Sequence, residues 1–267
     1  MKAGAVKGVA VMWNAYAPAL AAAAQQLPWL DLRVYSHRVV GENPDILERA
    51  WRDMESARFI LLYRTPDGFW EGLDRRLEDL KERVALINTG SDPSFWAMSS
   101  VPLEVAATAY TYVVLNGVEN FRRLLLYLGK EVAGLDLETP PPLELPWEGC
   151  YHPEAPRVFL TAADYLDWYE SRGAPGAALV GLMFSRHDWV TPNLEFPDFL
   201  IQALEARGLG VVPVFYYSMK DDNLGNRGGD EIVRDFFLDS AGRARIAALL
   251  KLTAFPLASR RGNTSDP

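Results

Sequence analysis

The segment Ala5-Val6-Lys7-Gly8-Val9-Ala10-Val11-Met12-Trp13 is a short apolar run of the kind that forms a buried β-strand. Strand-length and helix-length segments alternate after it. In chain order they are Ala15–Gln26 (helix), Leu30–Tyr35 (strand), Pro44–Ala57 (helix, with Asn43 as its cap), Arg58–Tyr63 (strand), Phe69–Glu82 (helix) and Arg83–Asn88 (strand). This alternation predicts βαβ units, and therefore a parallel sheet with helices on both faces. Residues 1–134 are accordingly predicted to form an α/β module of Rossmann-like or flavodoxin-like type.

A proline-rich stretch separates this module from the rest of the chain. Two helices, Leu103–Leu115 and Glu119–Ala133, precede it. The stretch Thr139–Gly149 reads TPPPLELPWEG and can neither propagate a helix nor lie centrally in a sheet. We place a linker over residues 135–160 and a second module over residues 161–267.

The second module repeats the strand–helix pattern only in part. Its segments are Thr161–Glu170 (helix), Ala177–Phe184 (strand), Leu194–Arg207 (helix), Gly210–Tyr217 (strand), Asp230–Leu238 (helix) and Gly242–Leu250 (a helix, or alternatively a strand before Phe255). Two or three strands are fewer than the ~4–6 of a usual sheet. The pattern predicts a second parallel-sheet module that is incomplete in this chain.

The composition excludes several classes of protein. With 49% hydrophobic residues the chain is too apolar to be disordered, and its single cysteine cannot form an internal disulfide. A net charge of −8 without a concentrated basic face argues against binding to nucleic acid. No apolar run approaches the ~20 residues of a membrane helix. Because Lys7 interrupts the N-terminal apolar run, we expect no export signal and a cytoplasmic protein.

Common catalytic motifs do not occur in the sequence. It has no phosphate loop, no Gly-x-Gly-x-x-Gly after a strand and no Gly-x-Ser-x-Gly elbow. Cys150 and His152 lie two residues apart and would permit two metal ligands on an extended segment. The simpler interpretation is a half-buried thiol and a turn histidine that bonds to backbone, and we prefer it.

Polar and aromatic residues follow the predicted strands. They stand at 13–16 (WNAY), 64–67 (RTPD), 89–92 (TGSD), 185–189 (SRHDW) and 216–220 (YYSMK). Ligands of doubly wound sheets bind beyond the carboxyl ends of the strands. A flat, partly apolar ligand with carboxylates would find stacking faces and cationic partners there. The alternative is that these are ordinary loop residues that bind no ligand. The sequence leaves both interpretations open.

One part of the chain resembles a known family. The matching stretches are residues 112–120 (YVVLNGVEN), 149–153 (GCYHP), 158–160 (VFL), 164–169 (DYLDWY), 180–186 (VGLMFSR), 204–215 (LEARGLGVVPVF) and 251–255 (KLTAF). Their order and spacing resemble the N-terminal region of the cobaltochelatase large subunit and of its relatives, the magnesium-chelatase H subunits. Asn116 stands where the family's pattern has a glycine.

The resemblance implies a role in metal insertion into a tetrapyrrole. Family members hold the ring and deliver a divalent metal, with cobalt favoured here and hydrogenobyrinic acid a,c-diamide as the ring, in cobalamin biosynthesis. AAA+ partner subunits use the ATP, and the rest of the large subunit supplies most of the insertion site. We therefore expect this chain to be catalytically inactive in isolation.

The candidate substrate-binding residues are Arg186, His187, Asp188 and His152. An arginine can bind the carboxylates of the ring, and a histidine or carboxylate can remove pyrrole protons or act as a ligand to the metal. Two alternatives stay open. One is a docking or lid module of a magnesium-type or nickel-type chelatase, and the other is a stand-alone βα enzyme with a complete second sheet.

Overall fold

The N-terminal apolar run forms strand β1 (Val6–Met12), and its last five residues are buried. The computed structural model describes residues 4–173 and 178–254. The chain divides into two units, Met1–Glu144 and Leu145–Pro267. After β1 the first unit continues with α1 (Ala17–Gln25), β2 (Leu30–Ser36), α2 (His37–Glu42), α3 (Pro44–Glu55), β3 (Phe59–Tyr63), α4 (Gly68–Glu71), α5 (Asp74–Lys81), β4 (Ala85–Thr89), α6 (Pro93–Trp96), α7 (Leu103–Leu115) and α8 (Val118–Glu131).

The four strands of the first unit form a parallel sheet in the order β2-β1-β3-β4. Gly8 lies opposite Leu32 on one side and Phe59 on the other. A Cβ atom at Gly8 would stand 2.6 Å from the Phe59 ring, so the close packing of neighbouring side chains requires glycine there.

Helices cover both faces of this sheet. On one face α1, α7 and α8 bury a core that includes Leu20, Val113 and Phe121. On the other face α3 and α5 bury a second core around Trp51 and Leu77. The predicted α/β class and the coverage of both faces are thereby confirmed for this module.

The second unit contains a smaller sheet. Its elements are β5 (Gly149–Cys150), α9 (Ala162–Ser171), β6 (Leu179–Ser185), α10 (Arg186–Val190), α11 (Glu195–Glu205), β7 (Gly210–Tyr216), α12 (Gly229–Ile232), a π-helical turn (Val233–Phe237) and β8 (Ala248–Lys251). The strand order is β5-β7-β6-β8, with β5 antiparallel to β7 and the other pairs parallel. It is a partial α/β module, as predicted, but the short edge strand β5 makes the sheet mixed.

Two local predictions in this unit were wrong. The helix predicted over Gly242–Leu250 does not form, because β8 pairs with the open edge of β6 and this pairing overrides the helical propensity of its alanines and leucines. The alternative, a strand in this region, is confirmed. Gly149 and Cys150 were assigned to the linker, yet they form β5.

The helix predicted over Phe69–Glu82 is also interrupted, since α4 ends at Glu71 and α5 begins at Asp74. Gly72 lies in the break. In the parts of the chain that the structure describes, no helix is both long and apolar enough to cross a lipid bilayer.

Candidate functional site at the carboxyl edge of the second sheet

Arg186 lies where β6 ends and α10 begins. The hydroxyl of Ser185 caps the short helix by accepting a hydrogen bond of 3.1 Å from the backbone N–H of His187. The turn directs the Arg186 side chain inward, and the residue is only 1% exposed. Sequence position predicted its place at the strand end but not this burial.

The buried guanidinium binds the chain just before β5. Its Nε donates to the Pro146 carbonyl at 2.8 Å and one terminal nitrogen donates to the Leu145 carbonyl at 3.3 Å. The same group lies 4.3 Å from the centre of the Trp147 ring. Carbonyl oxygens and an aromatic face compensate a buried cation, so Arg186 fixes this segment against the sheet edge.

Glu148 is brought to the same edge. Because β5 runs antiparallel to β7, and Gly149 pairs with Phe215, Glu148 lies level with the carboxyl end of β7. Its Oε2 accepts a long hydrogen bond of 3.4 Å from the backbone N–H of Arg227. Burial raises the pKa of the Glu148 carboxyl, while Arg227 and Arg186 oppose the shift. The carboxyl therefore holds a proton to higher pH than an exposed glutamate does.

His187 and Asp188 follow Arg186 on α10, and both are half-buried. Burial lowers the pKa of the His187 imidazole, and the nearby Asp188 carboxylate opposes the shift. Burial thus favours the neutral form of His187, in which one ring nitrogen can accept a proton. Asp188 accepts a hydrogen bond of 3.2 Å from the Asn193 amide.

Aromatic rings complete this edge. The Trp189 ring stacks on Phe215 with 4.2 Å between ring centres and 8° between planes. Tyr217 contacts Trp147 with ring centres 5.5 Å apart, and the Tyr216 hydroxyl lies 2.7 Å from the Thr253 hydroxyl oxygen. Trp147, Glu148, Arg186, His187 and Asp188 form what we call the carboxyl-edge cluster.

His152 lies away from this cluster. It follows β5 toward the amino end of β7, and its Nδ1 accepts a hydrogen bond of 3.2 Å from the Glu154 backbone N–H. Its Nε2 lies 3.1 Å from a Glu205 carboxylate oxygen, which also accepts the Tyr169 hydroxyl at 2.7 Å. The structure therefore brings three of the four predicted residues together and separates His152 from them.

The Cys150–His152 pair forms no metal site among the described residues. No group of three or more His, Cys, Asp or Glu side chains in residues 4–173 and 178–254 is placed to hold a metal ion. Cys150 is fully buried in the core, and burial raises the pKa of its thiol. His152 bonds to backbone at a turn, as the simpler interpretation predicted, whereas the thiol predicted to be half-buried is fully buried.

Sequence reasoning missed Trp147 and Glu148. Both stand in the proline-rich stretch, where no periodic pattern points to a site. The available signal is their position, because a tryptophan and a carboxylate stand directly ahead of GCYHP. Their role depends on Arg186, about forty residues later, and only the fold brings these residues together.

Comparison with known proteins gives consistent matches. A family model described as CobN/Magnesium Chelatase matches residues 110–267. An uncharacterised protein of Methanocaldococcus jannaschii is 27% identical over 255 residues, which are 92% of this chain and 18% of that protein. The aerobic cobaltochelatase subunit CobN of Pseudomonas aeruginosa is 27% identical over 174 residues, 63% of this chain and 14% of that subunit.

Similarity extends to a magnesium-chelatase subunit and to a solved structure. The chloroplastic magnesium-chelatase subunit ChlH of Oryza sativa subsp. indica is 28% identical over 108 residues, 38% of this chain and 8% of that subunit. The catalytic subunit of cobaltochelatase from Mycobacterium tuberculosis aligns with a TM-score of 0.53 at 15% identity, covering 86% of this chain and 17% of that one. At that identity the likeness shows the fold. The chain spans less than a fifth of each of these relatives.

Proposed function

The chain belongs to the CobN/Magnesium Chelatase family, and from this premise we propose that its second unit supplies tetrapyrrole-binding surface to a metal chelatase large subunit. The observation that carries the proposal is the match of the family model to residues 110–267, which include the whole second unit. The carboxyl-edge cluster lies inside that segment, at the end of the sheet where α/β folds bind ligands.

The chemistry of the cluster fits a tetrapyrrole. A macrocycle is flat and carries carboxylates on its rim, and its inner nitrogens must lose protons before a metal enters. Trp147 and Tyr217 offer aromatic faces at this edge. His187, which burial favours in its neutral form, accepts a proton, and Glu148 exchanges one closer to neutral pH than an exposed glutamate.

Arg186 acts in this proposal as a positioning residue. Its hydrogen bonds to the Leu145 and Pro146 carbonyls and its contact with Trp147 hold the segment that carries Glu148. Asp188 stands beside His187 and favours its protonated form, so it stabilises the imidazolium once a proton has been taken. His152 supports the opposite end of the sheet.

Cobalt is the metal we propose, with hydrogenobyrinic acid a,c-diamide as the ring and cobalamin biosynthesis as the pathway. Similarity to CobN supports cobalt, and similarity to ChlH is equally consistent with magnesium. The remaining parts of the large subunit and AAA+ ATPase subunits are the partners, and ATP is used by those ATPases. The alternative is a docking or lid module of a magnesium-type or nickel-type chelatase, which would not bind the ring itself.

Equilibrium titration of the 267-residue chain tests the proposal. The rings are hydrogenobyrinic acid a,c-diamide and the dicarboxylate deuteroporphyrin IX, and binding is followed by the change in ring absorbance. The test variants are Glu148→Gln and His187→Gln. The control is Arg207→Ala, an exposed cation after α11 at the amino end of the sheet.

We expect saturable binding that weakens about fivefold or more in the two test variants and is unchanged in the control. Preference for the first ring supports cobalt as the metal, and preference for the porphyrin supports magnesium. Absence of binding to either ring, or equal binding by all variants, refutes a tetrapyrrole site at the carboxyl-edge cluster.

A further inference from the structure

Helix α11 of the second unit has two apolar faces. Its inner face packs on the sheet, since Pro197 and Ile201 are buried and Ile201 shares a small core with residues of β6 and β7. Its outer face carries Phe196 and Phe199, which are 59% and 62% exposed, more than any other large apolar side chain in the described part of the chain. The outer face of a surface helix is normally polar, and a cluster of exposed apolar side chains marks an interaction surface.

The outer face of α11 has large side chains at one end and small ones at the other. With 3.6 residues per turn, residues 195, 196, 199, 203 and 206 lie on one side of the helix. They are Glu195, Phe196, Phe199, Ala203 and Ala206, and all are exposed except Ala203, which is half-buried. We call these five residues the α11 stripe. Its aromatic rings protrude near the start of the helix, and its alanines leave room near the end.

Opposite charges stand at the two ends of the α11 stripe. Glu195 begins the helix and Arg207 follows it, and both are exposed. They are about 18 Å apart along the helix axis, so they cannot pair with each other within one chain. The Arg207 guanidinium donates to the Ala203 carbonyl at 2.7 Å, which keeps this cation beside the small end of the stripe.

We propose that the α11 stripe binds the same stripe of a second copy of this chain, with the two helices antiparallel about a twofold axis. In such an interface a residue that contacts another across the axis is matched by the reciprocal contact. An axis level with residue 201 pairs each large or charged side chain with its complement in the second copy: Phe196 with Ala206, Phe199 with Ala203, and Glu195 with Arg207.

Size and charge both favour this antiparallel pairing. An alanine opposite each aromatic ring lets the helices approach to the 8–10 Å that is usual between packed helix axes. A parallel pairing would set ring against ring and Glu195 against its own copy. Since an eleven-residue helix is only about 16 Å long, the interface is small, and we expect a weak dimer with a dissociation constant of ~50 μM.

This inference does not depend on the proposed function, because none of these residues belongs to the carboxyl-edge cluster. Sedimentation equilibrium of the 267-residue chain at ~5 to ~500 μM tests it, through the average mass at each concentration. The variants are Phe199→Asp, Phe199→Ala, Glu195→Arg, Arg207→Glu and the double charge reversal. The matched control is Leu103→Asp, which changes a side chain that is 58% exposed at the start of α7 in the other unit. Far-UV circular dichroism verifies that each variant is folded.

We expect the unmodified chain and the control to pass from monomer to dimer over this range. Phe199→Asp should abolish the dimer, and Phe199→Ala should weaken it about tenfold, because the twofold axis removes two rings from one interface. Each single charge reversal sets two pairs of like charges together and should weaken the dimer about fivefold.

The double charge reversal separates pairing between copies from an effect within one helix. An acid at the start and a base at the end also suit the dipole of an isolated helix. In the double variant both charges oppose that dipole, while the pairing of opposite charges across the twofold axis is restored. We therefore expect Glu195→Arg combined with Arg207→Glu to dimerise within about twofold of the unmodified chain.

Two results would overturn the proposal. One is a chain that stays monomeric up to ~500 μM, which would leave the α11 stripe to a different partner. The other is a dimer that Phe199→Asp and the single charge reversals do not weaken, which would place the contact between copies on another surface.

Discussion

Replacing Arg186 by methionine should destabilise the second unit by about 3 kcal/mol. The substitution keeps much of the side-chain volume, so little of the effect comes from a cavity. It removes the donors that satisfy the Pro146 and Leu145 carbonyls and the cation above Trp147.

The magnitude follows from these contacts. Hydrogen bonds that involve a charged group contribute ~1.5 kcal/mol each at the low end of their range, which suits one bond of 2.8 Å and one of 3.3 Å. The cation–π contact at 4.3 Å adds about 1 kcal/mol. Removing a buried charge also recovers part of its desolvation cost, so the net loss is about 3 kcal/mol.

Urea unfolding followed by tryptophan fluorescence measures this loss. With a slope of about 2 kcal/mol per molar urea, the midpoint of the second unit's transition should fall by ~1.5 M. The control Arg207→Ala replaces an exposed cation whose side chain donates to the Ala203 carbonyl of α11, and it should change stability by less than ~0.5 kcal/mol. A loss below about 1 kcal/mol in Arg186→Met would show that the guanidinium does not hold the 145–148 segment.

Three further predictions concern a helix cap, a histidine and the thiol. Asn43→Ala removes a side chain that accepts two backbone N–H groups at the start of α3, and it should cost the first unit about 1 kcal/mol in a urea titration; an unchanged midpoint would contradict the assigned cap. Burial lowers the pKa of His187, so the unfolded chain binds that proton more readily. Its contribution to stability is therefore present above the unfolded pKa of ~6.5 and lost as the pH falls below it. Between pH 7.5 and 5.5 the unmodified chain should lose more stability than the His187→Gln variant. Equal losses would argue against a lowered pKa of His187. Cys150 is fully buried with a raised thiol pKa, so a thiol reagent should label it only after unfolding. Rapid labelling of the native chain would contradict the burial of this thiol.

Local signals in the sequence predicted most of the first unit. The Asn43-Pro44 pair predicted the start of α3, and the structure places the Asn43 side chain on two N–H groups of its first turn. Strands β1 to β4 followed from short apolar runs between helices, because a strand covered on both faces needs apolar residues throughout. These features depend on residues that are close in sequence, so they can be predicted without knowledge of the tertiary structure.

Features that depend on distant partners could not be predicted. Strand β5 forms only because β7 presents an edge, and Gly149 pairs with Phe215 more than sixty residues away. Strand β8 adopts an extended form against β6 despite a helix-like composition. In both cases tertiary pairing outweighs a local preference of a few tenths of a kcal/mol per residue.

The candidate site was predicted in position and only partly in composition. The rule that ligands bind beyond the carboxyl ends of parallel strands pointed to Arg186, His187 and Asp188 together. The structure places all three on α10. The rule could not show that the Arg186 guanidinium lies over the Trp147 ring, nor that Glu148 joins the cluster. His152 was grouped with these residues through the resemblance alone, and it lies toward the opposite end of the sheet.

Hydrogen–deuterium exchange of the 267-residue chain, with and without hydrogenobyrinic acid a,c-diamide, tests the central claim most directly. If the ring binds at the carboxyl-edge cluster, amides of residues 147–149, 186–190 and 216–218 should gain protection together. Amides near His152 and Glu205, at the other end of the sheet, should exchange as before. Protection confined to the His152 end, or no change at saturating ring, would contradict the account.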